Sequence, residues 1–468
     1  MAHRVVLVFP RSTYRTGDPP LGVAYLAAAL RKARPALDIR IVDGTFLGGE
    51  KKLLQAVRAA RGDVVGVYVD SLMPLVASRV AEAAREGGAS VVAGGPHATV
   101  AAETLLPAFD AIVLGEGEPI IADVVDRAIA RAPFGDVPNV VWRESAGGPP
   151  KRSCAPYRPP DLDALPFPAW DLLPMERYLH RWPYLDTLDV ATVGTNIVAS
   201  RGCAEQCAYC QPTLDSLFGR GPRRRSPASI VAEVEALQQR YGVRGIFFHD
   251  DTLTTRRRWL LELCEALLQM RRPILWGCNS RVDCLDHELV DAMVASGMRS
   301  IHLGIEAGSR RIREEVLHKR VDLDRLESLL AHLRHRGAHA LGFFMLGSPT
   351  EDLREMLATV KLATRLDLTE ATFSLTSVLP GTHIATQMSA DNRFALCNDA
   401  NTGIDYYNAR NFSDRASLIG AGTLRAIQLG ALAAFYGHPR RLGYVARHLL
   451  TRRGMMKLGM KMGRFLKL

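Results

Sequence analysis

Short apolar runs alternate with amphipathic stretches through the first 135 residues of the chain. The runs Arg4–Phe9, Asp38–Val42, Val64–Val67, Ser90–Ala93 and Ala111–Leu114 predict strands. Helical spacing of apolar positions falls between and after them, near Leu21–Arg34, Lys51–Arg61, Leu75–Glu86, Val100–Leu106 and Ile120–Arg131. Alternation of this kind predicts a parallel sheet with helices on both faces, a doubly wound α/β domain. Such sheets bind ligands in the loops at the carboxyl ends of their strands. The turn residues gather there: Gly94-Gly95-Pro96-His97 after the fourth strand and Gly115-Glu116-Gly117-Glu118-Pro119 after the fifth.

From 136 to 190 the pattern breaks. Prolines at 138, 149, 150, 156, 159, 160, 166, 168, 174 and 183 interrupt any long element. The aromatic content, with Phe167 and Trp170 in one short run, predicts an ordered connector rather than a solvated spacer. Strand–helix alternation resumes at Thr195. Strands are expected at Asn196–Ser200, Gly245–Phe248, Ile274–Cys278, Ser300–Ile305, Ala340–Leu346 and Glu370–Thr376, with five helices between them. The first helix carries its own punctuation: Ser226 as N-cap, Pro227 at the first helical position, and Gly242 to end it. Six strands and five helices fit a partial (β/α)6 barrel, whose sites lie at the carboxyl rim.

Charge changes the picture only once it is located. The net charge is +10, yet residues 415–468 hold eleven Lys or Arg and no carboxylate, which leaves the first 414 residues at −1. A neutral body gives no electrostatic reason to expect nucleic acid. The tail from Gly454 sorts Met455, Leu458, Met462 and Phe465 onto one face and Arg453, Lys457, Lys461 and Arg464 onto another. This is the pattern of a helix lying on an anionic membrane or meeting an anionic, lipid-linked substrate. It is equally the pattern of a helix packed across the barrel. No apolar stretch reaches the roughly 18 residues of a membrane span, and no targeting segment precedes the first strand, so a cytoplasmic protein, peripheral to a membrane at most, is expected.

The densest chemistry lies in Ser200-Arg201-Gly202-Cys203-Ala204-Glu205-Gln206-Cys207-Ala208-Tyr209-Cys210. A C-x3-C-x2-C loop can wrap three thiolates around one end of a cubane, one to each of three irons, whereas a [4Fe–4S] cluster ordinarily takes four cysteines. The fourth iron is left open to a reactant. A structural zinc site would require a fourth ligand, usually from a second C-x2-C pair, and cysteines 154, 264, 278, 284 and 397 form none. Cys203, Cys207 and Cys210 are therefore the candidate metal ligands.

The cysteine spacing, with Tyr209 before the third cysteine, resembles the signature loop of the radical S-adenosylmethionine (SAM) superfamily. Further motifs resemble its cobalamin-dependent branch: Pro19-Pro20-Leu21-Gly22, Gly94-Gly95-Pro96-His97, Gly115-Glu116-Gly117-Glu118, His249-Asp250-Asp251-Thr252, Arg281-Val282-Asp283, Gly304-Ile305-Glu306-Ala307-Gly308, Leu346-Gly347-Ser348-Pro349 and Leu379-Pro380-Gly381-Thr382. The resemblance implies a Rossmann-like cobalamin-binding domain over 1–135, a connector over 136–190, a TIM-type radical SAM barrel over 191–390 and a helical C-terminal region over 391–468. It implies three cofactors: a [4Fe–4S] cluster, SAM and cobalamin.

For SAM the resemblance implies the backbone at Tyr209, with Asp250, Arg281, Glu306 and Gly347. Alternatives stay open: Glu306 in a structural salt bridge, Asp250 and Asp251 as helix caps, Arg281 pairing with Asp283. For cobalamin it implies Gly94, Gly95, Pro96 and His97, the loop of Gly115, Glu116 and Gly117, and Leu72 and Met73 under the lower face of the corrin. The D-x-H-x-x-G signature of histidine-ligated cobalamin proteins is missing, so His97 is expected at the cofactor periphery rather than on cobalt.

The activity implied is methyl transfer from SAM, through methylcobalamin, to an unactivated carbon or phosphinate phosphorus of a small-molecule or lipid-like substrate. A 5′-deoxyadenosyl radical would first abstract hydrogen, with an electron donor such as flavodoxin or ferredoxin behind the cluster. The alternative keeps both cofactors but ends in ring formation, oxidation or rearrangement. Methylthiotransfer, which expects three cluster cysteines in the N-terminal domain, is excluded because residues 1–150 contain no cysteine.

Overall fold

A computed structural model describes residues 2–11, 16–145, 147–186, 188–189, 191–390 and 417–466. Cys397 lies outside the described residues. The N-terminal sheet runs β2-β1-β3-β4-β5-β6-β7, formed by Arg4–Phe9 (β1), Asp38–Asp43 (β2), Val64–Tyr68 (β3), Ser90–Gly94 (β4), Ala111–Val113 (β5), Val140–Trp142 (β6) and Lys151–Arg152 (β7). The first five are parallel, and the last two add antiparallel. On β1, Val6 and Val8 pack with Leu53, Val57 and Val80 on one face, while Val5, Leu7 and Phe9 meet Val23, Leu30 and Val124 on the other. Apolar residues at every position, rather than at alternate ones, are what a strand covered on both faces requires.

Two local expectations are revised. The stretch from 136 opens by contributing β6 and β7 to this sheet before it behaves as a connector. The helix expected over Val100–Leu106 is two short ones, Pro96–Val100 and Ala102–Leu105, because Pro96 opens a helix directly behind β4.

The second sheet has the order β15-β14-β13-β12-β11-β8, all parallel, from Gly194–Ile197 (β8), Gly245–Phe248 (β11), Leu275–Ser280 (β12), Met298–Glu306 (β13), His339–Leu346 (β14) and Glu370–Leu375 (β15). A small antiparallel pair, Ser200–Arg201 (β9) with Arg223–Arg224 (β10), sits at its rim. Helix Pro227–Tyr241 begins as expected: Ser226 Oγ accepts from Ser229 N at 3.2 Å, and Gly242 closes it at φ 64°.

The connector closes the lower end of this half-barrel. Trp182 is fully buried and donates from Nε1 to Asn196 Oδ1 at 2.7 Å. A Cβ on Gly194 would stand 2.2 Å from its indole, and one on Gly245 would stand 2.8 Å away, so both strand starts require glycine. Above it Tyr184 stacks on Phe247, centroids 4.1 Å apart, and on His302 at 5.7 Å.

The C-terminal helices brace the barrel from outside. In helix Ala421–Tyr436, Gln428 Nε2 donates to Phe373 O of β15 at 2.8 Å. In helix Arg452–Leu466, Lys457 is wholly buried and donates to Asp186 Oδ1 of the connector at 2.6 Å, while Arg453 Nη1 donates to Ala191 O at 2.9 Å. Lys457 is thus spent inside the protein, and the half-buried Arg453 on backbone carbonyls of Leu179 and Ala191. No described helix is long and apolar enough to cross a membrane.

Candidate active site at the domain seam

The cysteine loop leaves β9 at Gly202, whose backbone sits at φ +89°. A Cβ there would stand 3.0 Å from Gly221 O, so the position has no room for a side chain. Cys203 and Cys210 are partly open and Cys207 is buried; all three are free thiols. Cys210 N donates to Cys207 O at 3.1 Å, which turns the loop back on itself. Burial, then the neighbouring Cys207 and Asp251, push the Cys210 thiol up from its ordinary value. Iron would reverse this, since a coordinating thiol gives up its proton. Among the described residues no three His, Cys, Asp or Glu side chains converge on a single ion position. A cubane does not ask for that convergence, because each cysteine binds a different iron. The donor set therefore fits three corners of a [4Fe–4S] cluster.

Around the cysteines, Glu306 ends β13 with φ +68°, a left-handed backbone that glutamate adopts only under constraint. Its Oε1 accepts from Lys319 Nζ at 2.6 Å and from Tyr209 OH at 3.0 Å. Burial alone would lower the Lys319 pKa, and Glu306 outweighs it, so the ammonium stays charged. The salt-bridge alternative for Glu306 is thus realised, with a partner the sequence did not reveal.

Arg281 also finds its alternative partner. Nε donates to Asp283 Oδ1 at 3.0 Å, Nη2 stands 3.3 Å from Glu205 Oε2 of the cysteine loop, and Nη1 lies 3.9 Å from Cys207 Sγ. The side chain pins the loop and sets a positive charge against the sulfur.

The two adjacent aspartates divide. Asp250 is sealed, with Oδ1 accepting from Ser200 Oγ at 2.5 Å and Oδ2 from Ala199 N at 3.1 Å; burial raises its pKa to about 6. It ties β11 to the strand that delivers the cysteines. Asp251 is solvent-exposed and close enough to Cys203 and Cys210 to act on both thiols. Gly347, expected against SAM, sits at φ +77° under Leu424, 2.9 Å from where a Cβ would be.

On the cobalamin side, Gly94-Gly95-Pro96-His97 folds over the end of β3: a Cβ on Gly95 would meet Val69 O at 2.8 Å, and His97 N donates to Val69 O at 3.1 Å. His97 is buried, with Nδ1 against Ser71 Oγ at 3.1 Å and Nε2 without a hydrogen-bond partner. An orphaned ring nitrogen at the carboxyl edge of the sheet fits a polar group of a bound cofactor. Leu72 is half-buried in the loop after β3, whereas Met73 belongs to the apolar core that holds Val5 and Leu7.

The loop after β5 is held against the barrel by ion pairs. Glu116 is buried against the barrel: Oε1 accepts from Arg201 Nη1 at 2.5 Å, and Oε2 accepts from Arg223 of β10. Glu118 Oε1 takes the other arm of Arg201 at 2.7 Å. Gly115, at φ +67°, lies where a Cβ would stand 3.1 Å from Leu217 O, in the helix that follows the cysteines. These residues join the two halves. Nothing in the sequence pattern singles out Arg201, although it stands two positions before Cys203.

The profile of the Radical SAM superfamily matches residues 197–363, and that of the B12 binding domain matches residues 13–125. An uncharacterized methyltransferase of Pyrococcus horikoshii is 30% identical over 413 residues, covering 84% of this chain and 85% of the relative. The chain belongs to the cobalamin-dependent radical SAM family. Members of the family use a [4Fe–4S] cluster, SAM and cobalamin. A cytidylyl-2-hydroxyethylphosphonate methyltransferase of Streptomyces wedmorensis is 27% identical over 424 residues, 80% of this chain and 78% of the relative. The fold matches the cobalamin-dependent SAM radical enzyme OxsB, solved with aqua-cobalamin and SAM, at a TM-score of 0.73 and 14% identity over 98% of this chain and 72% of that one. A radical SAM barrel behind a B12 domain, closed by a helical C-terminal region, is the architecture both share.

Proposed function

We propose that this chain is a methyltransferase that moves a methyl group from SAM, by way of cobalamin, to an unactivated carbon or a phosphinate phosphorus of a small molecule. Cys203, Cys207 and Cys210 would hold the cluster, and the loops after β3, β4 and β5 would face cobalamin. When bound, the cluster supplies the electron that cleaves SAM, and cobalamin supplies a carrier for methyl. An inert C–H bond has no electron pair to attack SAM, so hydrogen abstraction must come first.

The observation that carries this reading is the direct contact of Gly115, Glu116 and Glu118 with both flanks of the cysteine loop. The carboxyl edge of the cobalamin domain is thereby set against the open rim of the barrel. The protein's own residues do the rest: Arg281 holds the loop, Asp250 anchors its strand, and Asp251 offers a carboxylate beside the thiols. Trp182 and Tyr184 close the lower end against water. The electron would come from a small donor such as flavodoxin or ferredoxin. The basic tail enters as a brace; Lys457, sealed against Asp186, is not available to a membrane or a lipid-linked substrate.

The test is anaerobic reconstitution with iron, sulfide, hydroxocobalamin and methyl-labelled SAM, with a one-electron chemical reductant standing in for the donor protein. The expected products are 5′-deoxyadenosine, S-adenosylhomocysteine and label in the product. Cys210→Ala should lose most iron and all 5′-deoxyadenosine. Iron-free wild-type protein would sink the reading, and 5′-deoxyadenosine without label transfer would replace it with ring formation, oxidation or rearrangement.

A further inference from the structure

The loop after β5 and the cysteine loop are joined by a buried ionic clamp. Arg201 spends both arms on it: Nη1 on Glu116 Oε1 at 2.5 Å and Nη2 on Glu118 Oε1 at 2.7 Å. Its guanidinium also lies over the Tyr25 ring, 5.1 Å from the centroid, so its plane is fixed on a helix of the cobalamin domain. Arg223, paired to Arg201 across β9 and β10, takes the second oxygen of Glu116, and Tyr157 OH donates to the Glu116 carbonyl at 2.8 Å. The three side chains Arg201, Glu116 and Glu118 are nearly sealed, at 11%, 2% and 5% exposure. A planar fork held by two carboxylates fixes orientation as well as distance, which a flexible ammonium cannot do. The close approach of Gly115 to Leu217 O is a second tie on the far side of the cysteines.

We propose that Arg201 is the positioning residue that sets the cobalamin domain in register with the cluster, through Glu116 and Glu118. It acts through these two carboxylates, which take both of its arms. It governs methyl donation, which requires both halves of the protein to meet at one SAM molecule. Reductive cleavage of SAM needs only the barrel and is independent of the clamp. This rests on the cofactor assignment of the proposed function, and the wild-type control separates the two.

The experiment compares wild type with Arg201→Lys, Arg201→Gln, Glu116→Gln and Glu118→Gln, each reconstituted with iron, sulfide and cobalamin and assayed with SAM and a one-electron chemical reductant. One readout is the ratio of S-adenosylhomocysteine to 5′-deoxyadenosine. The other is spectroscopic and needs no turnover: the spin relaxation of bound cob(II)alamin, which the reduced cluster speeds according to its closeness. Arg201→Gln should lower the product ratio at least tenfold and slow the relaxation, with iron and cobalamin content kept. Arg201→Lys should recover part of both and Glu118→Gln should lose least. If Arg201→Gln does not load its cofactors, Glu118→Gln carries the test, since Glu116 still holds the arginine. Variants with wild-type cofactor content, ratio and relaxation would overturn the clamp. A wild type without iron or cobalamin would instead overturn the proposed function.

Discussion

Lys457 Nζ lies 2.6 Å from Asp186 Oδ1, across 271 residues of sequence and with both side chains sealed from solvent. His448 Nε2 stands 3.5 Å from the other oxygen of the same carboxylate. A cation in the last helix is thereby committed to the connector that plugs the barrel. Replacing one partner of a buried pair strands the other, at about 3–5 kcal/mol. Lys457→Met should cost that much in denaturant unfolding, and Lys457→Met with Asp186→Leu should recover most of it. Neither variant should sediment with anionic liposomes differently from wild type; a tail-dependent loss of sedimentation would contradict the bracing role.

Asp250 and Asp251 are neighbours in sequence with opposite duties. Asp250→Asn forfeits an acceptor shared by Ser200 and Ala199 and should lower stability by about 1–3 kcal/mol. Asp251→Asn, at an exposed position, should stay within about 0.5 kcal/mol of wild type. It should instead raise the SAM concentration needed for half-maximal 5′-deoxyadenosine formation. Equal stability losses in the two variants would contradict the division.

The left-handed backbone of Glu306 gives a separate handle on strain. Glu306→Ala and Glu306→Gly both strand the buried Lys319, so that cost is common to the pair. Glycine tolerates φ +68° and alanine does not, so the glycine variant should be the more stable by about 1 kcal/mol. Chemical denaturation of the two side by side decides it.

Glu351 provides a pH signature. It is fully buried, accepts from Ser348 N at 2.8 Å, and has its pKa raised by burial from 4.5 to about 7. A carboxyl whose folded pKa lies above its unfolded one favours the native state most at low pH, and that advantage fades as pH rises. Relative to Glu351→Gln, wild type should therefore lose roughly 3 kcal/mol between about pH 4.5 and pH 7, at about 1.4 kcal/mol per pK unit. A difference in unfolding free energy that is flat across this window would show that Glu351 stays ionised.

Much of the architecture was legible because its signals are local. The five parallel strands of the first sheet and all six of the barrel follow from short apolar runs, and Ser226, Pro227 and Gly242 mark a helix within its own residues. β6 and β7 were not legible. Val140–Trp142 is three residues among turn formers, and Lys151–Arg152 is wholly polar; each is a strand only because a neighbouring edge is there to pair with. The site divides the same way. Three cysteines within eight positions announce themselves. Lys319 and Arg201 do not, since their partners lie 13 and 85 residues away. The tail stayed two-sided for a related reason: helical periodicity separates polar from apolar faces but cannot distinguish a lysine facing water from one facing a distant aspartate.

The indole wedged against Gly194 and Gly245 makes the half-barrel a vessel stoppered at its base. A methyl group added at either strand start would push that stopper out, so the base of the vessel tolerates no growth in its walls.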